Sequence, residues 1–344
     1  FLHAGAEVIT SLSYQASPST LSTCFNLSIE EAEQLMADSV LLAKDEIRKY
    51  ENKKSLITPI LCAASIGPFG AHLADGSEYN GEYIDRTSIW QIRNYYEQQI
   101  SSLTRAEPDL LAFETIPTQA EVEIIIEIMK EYPNVPAWIS VNSCDGMKTA
   151  HGENLKGVVD NFNLFSSENV NIIFYQVIGF GFNCVIPLLE VKNTVHKIRS
   201  QLNRDKIFVL YPNNGEMLDK SVSKWLFPPG INNNTFYEEL PLWIEGGADW
   251  IGGCCRMGAN RMTRASLEGF HSIWPPGVSN WARWIGDCDP PGKDVLHHVC
   301  EIHPCLDYLQ VHPLLHPLPL GEEVLCVGIY LGSWVLLSIE SIRV

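Results

Sequence analysis

Seven short, nearly continuous apolar runs punctuate the chain, at residues 7–14, 57–65, 110–115, 137–143, 171–179, 206–212 and 248–253. Each is six to nine residues long, and several are rich in β-branched side chains. Unbroken apolar character over that length is how strands buried on both faces of a parallel sheet read. Between the runs lie longer stretches with helical periodicity. Ser28 and Glu31 form a capping box, predicting a helix from there to about residue 50. Further helices are predicted at 86–103, 118–131, 152–165, 187–202, 236–246 and 264–273. Strict alternation of strand and helix predicts an α/β fold, and the number of units predicts a (β/α)8 TIM-type barrel short of one unit. A doubly wound sheet is the alternative, but no Gly-x-Gly-x-x-Gly turn follows the first strand. From about residue 275 the periodicity fades into a stretch rich in Pro and His. The chain therefore divides into a barrel domain, 1–274, and a tail, 275–344, without a predicted fold.

In a barrel of this kind function gathers at the C-terminal ends of the strands. Those ends read Ser13-Tyr14-Gln15, Ser65-Ile66-Gly67-Pro68, Phe113-Glu114-Thr115, Gly181-Phe182-Asn183-Cys184, Tyr211-Pro212-Asn213-Asn214-Gly215-Glu216 and Gly252-Gly253-Cys254-Cys255-Arg256. Three cysteines thus project from two strand ends on one rim. Three thiolates suit Zn²⁺, and a fourth position left open would mark a catalytic site. Buried structural cysteines are the alternative, although glycines beside the Cys254-Cys255 pair offer little surface to bury.

Composition changes this picture in three ways. Ten cysteines in 344 residues do not make a disulfide scaffold, which is usually a short chain, and adjacent cysteines pair only with strain. Reduced thiols in the cytoplasm are expected instead. The net charge of −17 disfavours nucleic acid and anionic membrane as partners, leaving small-molecule substrates. No basic segment followed by an apolar one marks a signal peptide, and the start reads like the middle of a longer protein. The sixteen uncharged residues at 324–339 fall short of the roughly 20 that span a bilayer.

The segments at the strand ends resemble the homocysteine S-methyltransferases, a zinc-dependent barrel family that includes betaine–homocysteine methyltransferase. The resemblance runs from Ala4-Gly5-Ala6-Glu7-Val8-Ile9-Thr10 through Ser13-Tyr14-Gln15, Ser65-Ile66-Gly67-Pro68, Ala74-Asp75-Gly76-Ser77-Glu78-Tyr79 and Phe113-Glu114-Thr115-Ile116-Pro117. It ends with the Asn183-Cys184 and Gly252-Gly253-Cys254-Cys255 motifs and covers residues 1–274. It implies that Cys184, Cys254 and Cys255 hold Zn²⁺, that Glu114 binds the homocysteine amino group, and that Tyr14 and Asn183 lie near the metal. It further implies methyl transfer from S-methylmethionine or S-adenosylmethionine, rather than betaine, to the homocysteine thiolate. For a cationic sulfonium donor, Tyr14, Phe69, Tyr79 and Tyr83 offer aromatic faces in the predicted rim loops, although packing is the commoner role of any one ring. The family's first strand–helix unit, with its Asp-Gly motif, has no counterpart here. That predicts a seven-stranded barrel with an open edge and an incomplete pocket, and it makes a zinc-binding but inactive homologue the alternative function.

Overall fold

The computed structural model describes residues 1–286, apart from 55, 57–58, 144, 167–176, 185–190, 220–223 and 266–282. Two strands and four helices open the fold: β1 (Val8–Thr10), α1 (Pro18–Phe25), α2 (Ile29–Glu51), β2 (Leu61–Ile66), α3 (Phe69–Leu73) and α4 (Ile89–Thr104), followed by β3 (Leu110–Ile116). Next come α5 (Gln119–Met129), β4 (Ala137–Val141), α6 (Leu155–Ser166), β5 (Val177–Asn183), α7 (Val191–Gln201) and β6 (Ile207–Tyr211). A small antiparallel hairpin, β7 (Met217–Asp219) and β8 (Lys224–Leu226), precedes α8 (Thr235–Gly246), β9 (Trp250–Gly252), α9 (Ala259–Ala265) and β10 (Arg283–Gly286).

The strands form a closed ring in the order β1-β10-β9-β6-β5-β4-β3-β2, every neighbour parallel. This corrects the expected open, seven-stranded barrel. The gap is filled by β10, which comes from the stretch read as tail. Val8 aligns with Ile285 on one side of it, and Trp250 with Arg283 on the other. The division at residue 274 therefore does not separate tail from barrel. Periodicity missed β10 because four residues are too few to show a period.

The capping box of α2 is formed: the Ser28 side chain accepts from the Glu31 N–H, and the Glu31 carboxylate accepts from the Ser28 N–H. The fifth strand lies later than predicted, at Val177–Asn183 instead of 171–179, so Asn183 is its last residue. The predicted helix 264–273 falls mostly outside the described residues, where α9 ends at Ala265.

Two apolar clusters follow from the alternation of side chains along each strand. The larger joins the outward faces of the strands to the helices and includes Ile66, Phe113, Ile139, Phe180, Phe208 and Trp243. The smaller fills the barrel interior with Val8, Ala63, Leu110, Ala112, Trp138, Val209, Tyr211 and Trp250. Trp138 meets Trp250 edge-on at 5.9 Å. Gly181 of β5 lets β6 approach closely: a Cβ there would lie 1.7 Å from the Val209 carbonyl oxygen. Towards the strand C-termini, positions of the inward parity become polar: Thr10, Ser65, Glu114 and Ser140, all buried. The interior thus grades from an apolar plug into a polar floor.

Deleting residues 275–344 removes β10 and leaves the hydrogen-bonding edges of β1 and β9 bare. The shortened protein is expected to melt roughly 5 °C or more below the full chain and to self-associate. Thermal melting with light scattering checks this; an unchanged, monodisperse protein would show that the ring does not need β10.

Candidate active site

The backbone is strained where the strands end. Six non-glycine residues have positive φ among the described residues, and three of these, Thr115 (58°), Cys184 (56°) and Arg256 (64°), stand on this rim. The left-handed conformation costs an L-residue about 1–2 kcal/mol, and such residues cluster where function over-determines the geometry.

Thr115 is the extra residue of a bulge. Phe113 aligns with Ile139 and Ile116 with Val141, so β3 spends one more residue than β4. The Thr115 N–H donates to Asn183 Oδ1 at 2.7 Å, and Asn183 Nδ2 donates to Thr115 Oγ1 at 2.7 Å. Asn183 therefore fastens the bulge of β3 to the end of β5, immediately before Cys184. Beside the bulge, buried Glu114 accepts a short hydrogen bond from the Ser65 hydroxyl. Ser65 is itself held by the β1 loop: its N–H donates to Ser11 Oγ at 3.1 Å, and its carbonyl accepts from Ser13 Oγ at 2.7 Å. Tyr211 completes the polar floor, with Trp138 Nε1 donating to its hydroxyl at 3.1 Å and Ser140 Oγ 2.5 Å away. Burial pushes the Tyr211 hydroxyl far up, and the nearby Glu114 charge adds to this.

The loop after β6 holds the cysteine segments. Asn213 Nδ2 donates to the Cys184 carbonyl at 3.3 Å, the Cys254 N–H donates to the Pro212 carbonyl at 2.9 Å, and the Asn214 N–H donates to the Cys255 carbonyl at 3.2 Å. Arg256 forms an ion pair with Glu216 and lies 5.1 Å above the Trp225 ring. Gly253 does have a packing rationale: a Cβ there would meet Met257 Cβ at 2.4 Å.

The outcome is a cluster of three cysteines, none of them in a disulfide. Cys184 Sγ lies 3.1 Å from Cys254 Sγ and 3.5 Å from Cys255 Sγ, and the last two are 3.9 Å apart. A tetrahedral ion with metal–sulfur bonds of about 2.3 Å needs sulfurs about 3.8 Å apart, so small movements suffice to seat one. Without a cation the thiols resist ionising. The hydrogen bonds that the Cys184 thiol makes to Cys254 and Cys255, then burial, push Cys184 well up. The Cys184 bond pulls Cys254 down, but Cys255 and burial outweigh it and raise Cys254 overall.

Of the four candidate rim aromatics, two are core. Phe69 is 9% exposed, and Tyr83 is fully buried and donates to Glu121. The other two lie close enough to feel the charge of the cysteine sulfurs. Desolvation drives the Tyr14 hydroxyl well up, and the charges of Tyr79, Glu78 and Cys184 add to this, against a hydrogen bond with Thr115. Tyr79 leaves 46% of its surface open, while desolvation of its hydroxyl and the charges of Cys184, Cys255, Glu78 and Cys254 raise it. Gly67 presses on Tyr14: its N–H donates to the Tyr14 carbonyl at 2.9 Å, and a Cβ would lie 2.9 Å from the ring.

Residues 1–266 match the profile of the family described as homocysteine S-methyltransferase. The chain belongs to this family. As a member of the homocysteine S-methyltransferase family it is an enzyme. It is 38% identical over 263 residues to Homocysteine S-methyltransferase 1 of Arabidopsis thaliana, covering 74% of this chain and 76% of the relative. It is 32% identical over 265 residues to the Selenocysteine Se-methyltransferase of Brassica oleracea var. italica, covering 74% and 73%. Among solved structures, the metallated form of the homocysteine methyltransferase MmuM from Escherichia coli superposes with a TM-score of 0.64 at 29% identity, over 77% of this chain and 81% of that one. No helix among the described residues is long and apolar enough to cross a membrane.

One residue went unassigned in the sequence. Glu78 follows Ser77 in a short 3-10 turn and is 4% exposed, with Oε2 lacking a partner. Burial pushes its carboxyl up to about 7; its own backbone N–H opposes this, and Asp75 adds to it. Its neighbour Tyr79 was legible as an aromatic, but burial of the acid itself leaves no mark in a local pattern.

Because the folded state raises this acid above its ordinary value near 4.5, ionising it costs the folded state. Stability is therefore lost as pH rises from about 4.5 to about 7 and stays lower above. Glu78→Gln cannot ionise, and at pH 8 it is expected to be more stable than wild type by up to about 3 kcal/mol. The difference should shrink towards pH 5, as urea melts at the two pH values would show. In the same site Gly67→Ala should push Tyr14 aside and cost about 1–3 kcal/mol, read in the same melts.

Proposed function

We propose that the protein transfers a methyl group from a sulfonium donor, S-methylmethionine or S-adenosylmethionine, to the sulfur of homocysteine, giving methionine. Zn²⁺ held by Cys184, Cys254 and Cys255 is its cofactor. The observation that carries this reading is the convergence of three sulfurs, from two strand ends 70 residues apart, to within 3.1–3.9 Å. Three sulfur donors fill three corners of a tetrahedron and leave the fourth for the substrate thiol. When bound, the ion supplies a thiolate from a thiol whose ordinary pKa is about 8.5.

Asn183 fixes the peptide that carries Cys184, and the Pro212–Glu216 loop fixes the Cys254-Cys255 pair, so the sulfurs are oriented before substrate arrives. Glu114, on the polar floor, accepts the homocysteine ammonium group. Tyr14 offers an aromatic face to the donor cation, worth about 0.5–2 kcal/mol. The homocysteine sulfur then attacks the methyl carbon in line. One S–C bond forms as the donor's S–C bond breaks, and the electron pair stays with the donor sulfur, which leaves as a neutral thioether. The thiol proton goes to solvent, and no redox change occurs. The electronegative surroundings, with Glu78, Glu114 and the cysteines around one pocket, suit a cationic donor.

Purified protein is expected to carry about one zinc per chain by elemental analysis and to form methionine from homocysteine with S-methylmethionine or S-adenosylmethionine, but not with betaine. Cys254→Ser should lose the metal, and methyl transfer should fall by on the order of 100-fold or more. Full metal content and activity in that variant would overturn the assignment. Metal without activity on any donor would favour a binding protein over an enzyme.

A further inference from the structure

Two buried polar atoms in one turn beside the cysteines lack partners: Ser77 Oγ and Glu78 Oε2, in residues 5% and 4% exposed. A buried carboxylate oxygen without a hydrogen bond is costly, so its persistence points to a ligand that supplies one. The turn cannot easily retreat to find another partner. Gly76 enters it at φ 82°, Asp75 accepts from the Ser77 N–H at 2.9 Å, and Gly70 is so close that a Cβ there would lie 2.6 Å from the Glu78 nitrogen. The Glu78 charge reaches Tyr14 and Tyr79, which themselves feel the Cys184 sulfur. Tyr79 ends this same turn, and the turn packs against β3, the strand that carries Glu114, so Ser77 and Glu78 stand on the rim of the site.

We propose that Ser77 and Glu78 form the subsite for the α-ammonium group of the methyl donor, selecting amino-acid sulfonium compounds over donors without an amine. This rests on the methyl-transfer reading above. The reaction brings two α-amino acids together, and the pocket has two buried carboxylates. Glu114 is assigned to homocysteine, which leaves Glu78 for the donor. A sulfonium or quaternary ammonium centre has no N–H and cannot satisfy Glu78 Oε2, whereas a primary ammonium can. The tyrosine faces suit the sulfonium itself. Glu78 is thus a specificity residue, destabilising when empty and satisfied when the donor binds.

The test compares S-methylmethionine with dimethylsulfoniopropionate, a sulfonium without the α-amine, used as alternative donor or as competitive inhibitor against the first. Zinc-loaded Glu78→Gln should raise KM for S-methylmethionine about tenfold or more. It should leave unchanged the KM for homocysteine, the KM or Ki for dimethylsulfoniopropionate, and the metal content. Its melting temperature at pH 8 should be no lower than that of wild type, whereas loss of a merely structural carboxylate would lower it. Ser77→Ala should show a smaller change in the same direction. An unchanged KM for S-methylmethionine in Glu78→Gln, or an equal loss towards both sulfonium compounds and homocysteine, would overturn the subsite while leaving the methyl-transfer reading intact. Zinc-loaded wild type inactive with every sulfonium donor would overturn that reading and the subsite with it.

Discussion

Three sulfur atoms must meet at one point although one of them is 70 residues from the others in sequence, and the rest of the site depends on that meeting. The ring order makes it possible. Between β5, which ends before Cys184, and β9, which ends before Cys254, stands only β6. The loop leaving β6 then ties to all three cysteine backbones through Pro212, Asn213 and Asn214. Left-handed φ at Cys184 and Arg256 turns the chain sharply at both sides of the cluster. Mutual crowding and burial raise the Cys184 thiol well above its ordinary value, so the geometry that holds the sulfurs together also disfavours their ionisation while no cation compensates them.

Beneath the sulfurs, the barrel interior separates stability from chemistry along a single axis. Period-2 alternation places Trp138, Trp250 and Val209 in an apolar plug, and the same alternation carried further along the strands places Ser65, Glu114 and Ser140 in a polar floor. The plug excludes water from below, and each polar group above it is fixed by a neighbour: Glu114 by Ser65, Tyr211 by Trp138 and Ser140. A rigid floor of this kind can orient a substrate without reorganising at the moment of reaction. Among the strained and unsatisfied groups, Thr115, Cys184 and Arg256, with their left-handed backbone, and Ser77 and Glu78, with unpartnered polar atoms, stand on the rim. The large cluster between strands and helices, with Phe113, Ile139, Phe180 and Trp243, offsets them. That distribution is expected where function competes with stability.

The amino-acid sequence by itself determined the parts that depend on neighbours within a few residues. Apolar runs marked the strands β2, β3, β4, β6 and β9 to within a few positions, and the Ser28–Glu31 pair marked the start of α2, because periodicity and capping are local. Strand-end position singled out Cys184, Cys254 and Cys255 as neighbours on one rim, because a barrel puts its chemistry where strands end, and the family resemblance of the strand-end motifs added Glu114, Tyr14 and Asn183 as candidates. Tertiary structure alone decided what depends on segments far apart in the chain. The Asn183 clamp on the β3 bulge joins residues 68 apart. The burial of Glu78 and Ser77 depends on Gly70 and the α3 turn closing over them. The separation of Tyr14 and Tyr79, at the sulfurs, from Phe69 and Tyr83, in the core, depends on which face each loop presents. Closure of the ring by β10 pairs Arg283–Gly286 with β1, whose partners lie some 277 residues away (Val8 with Ile285); no local pattern encodes a pairing over that separation, because hydrogen bonds between strand edges depend on where the whole sheet has carried them.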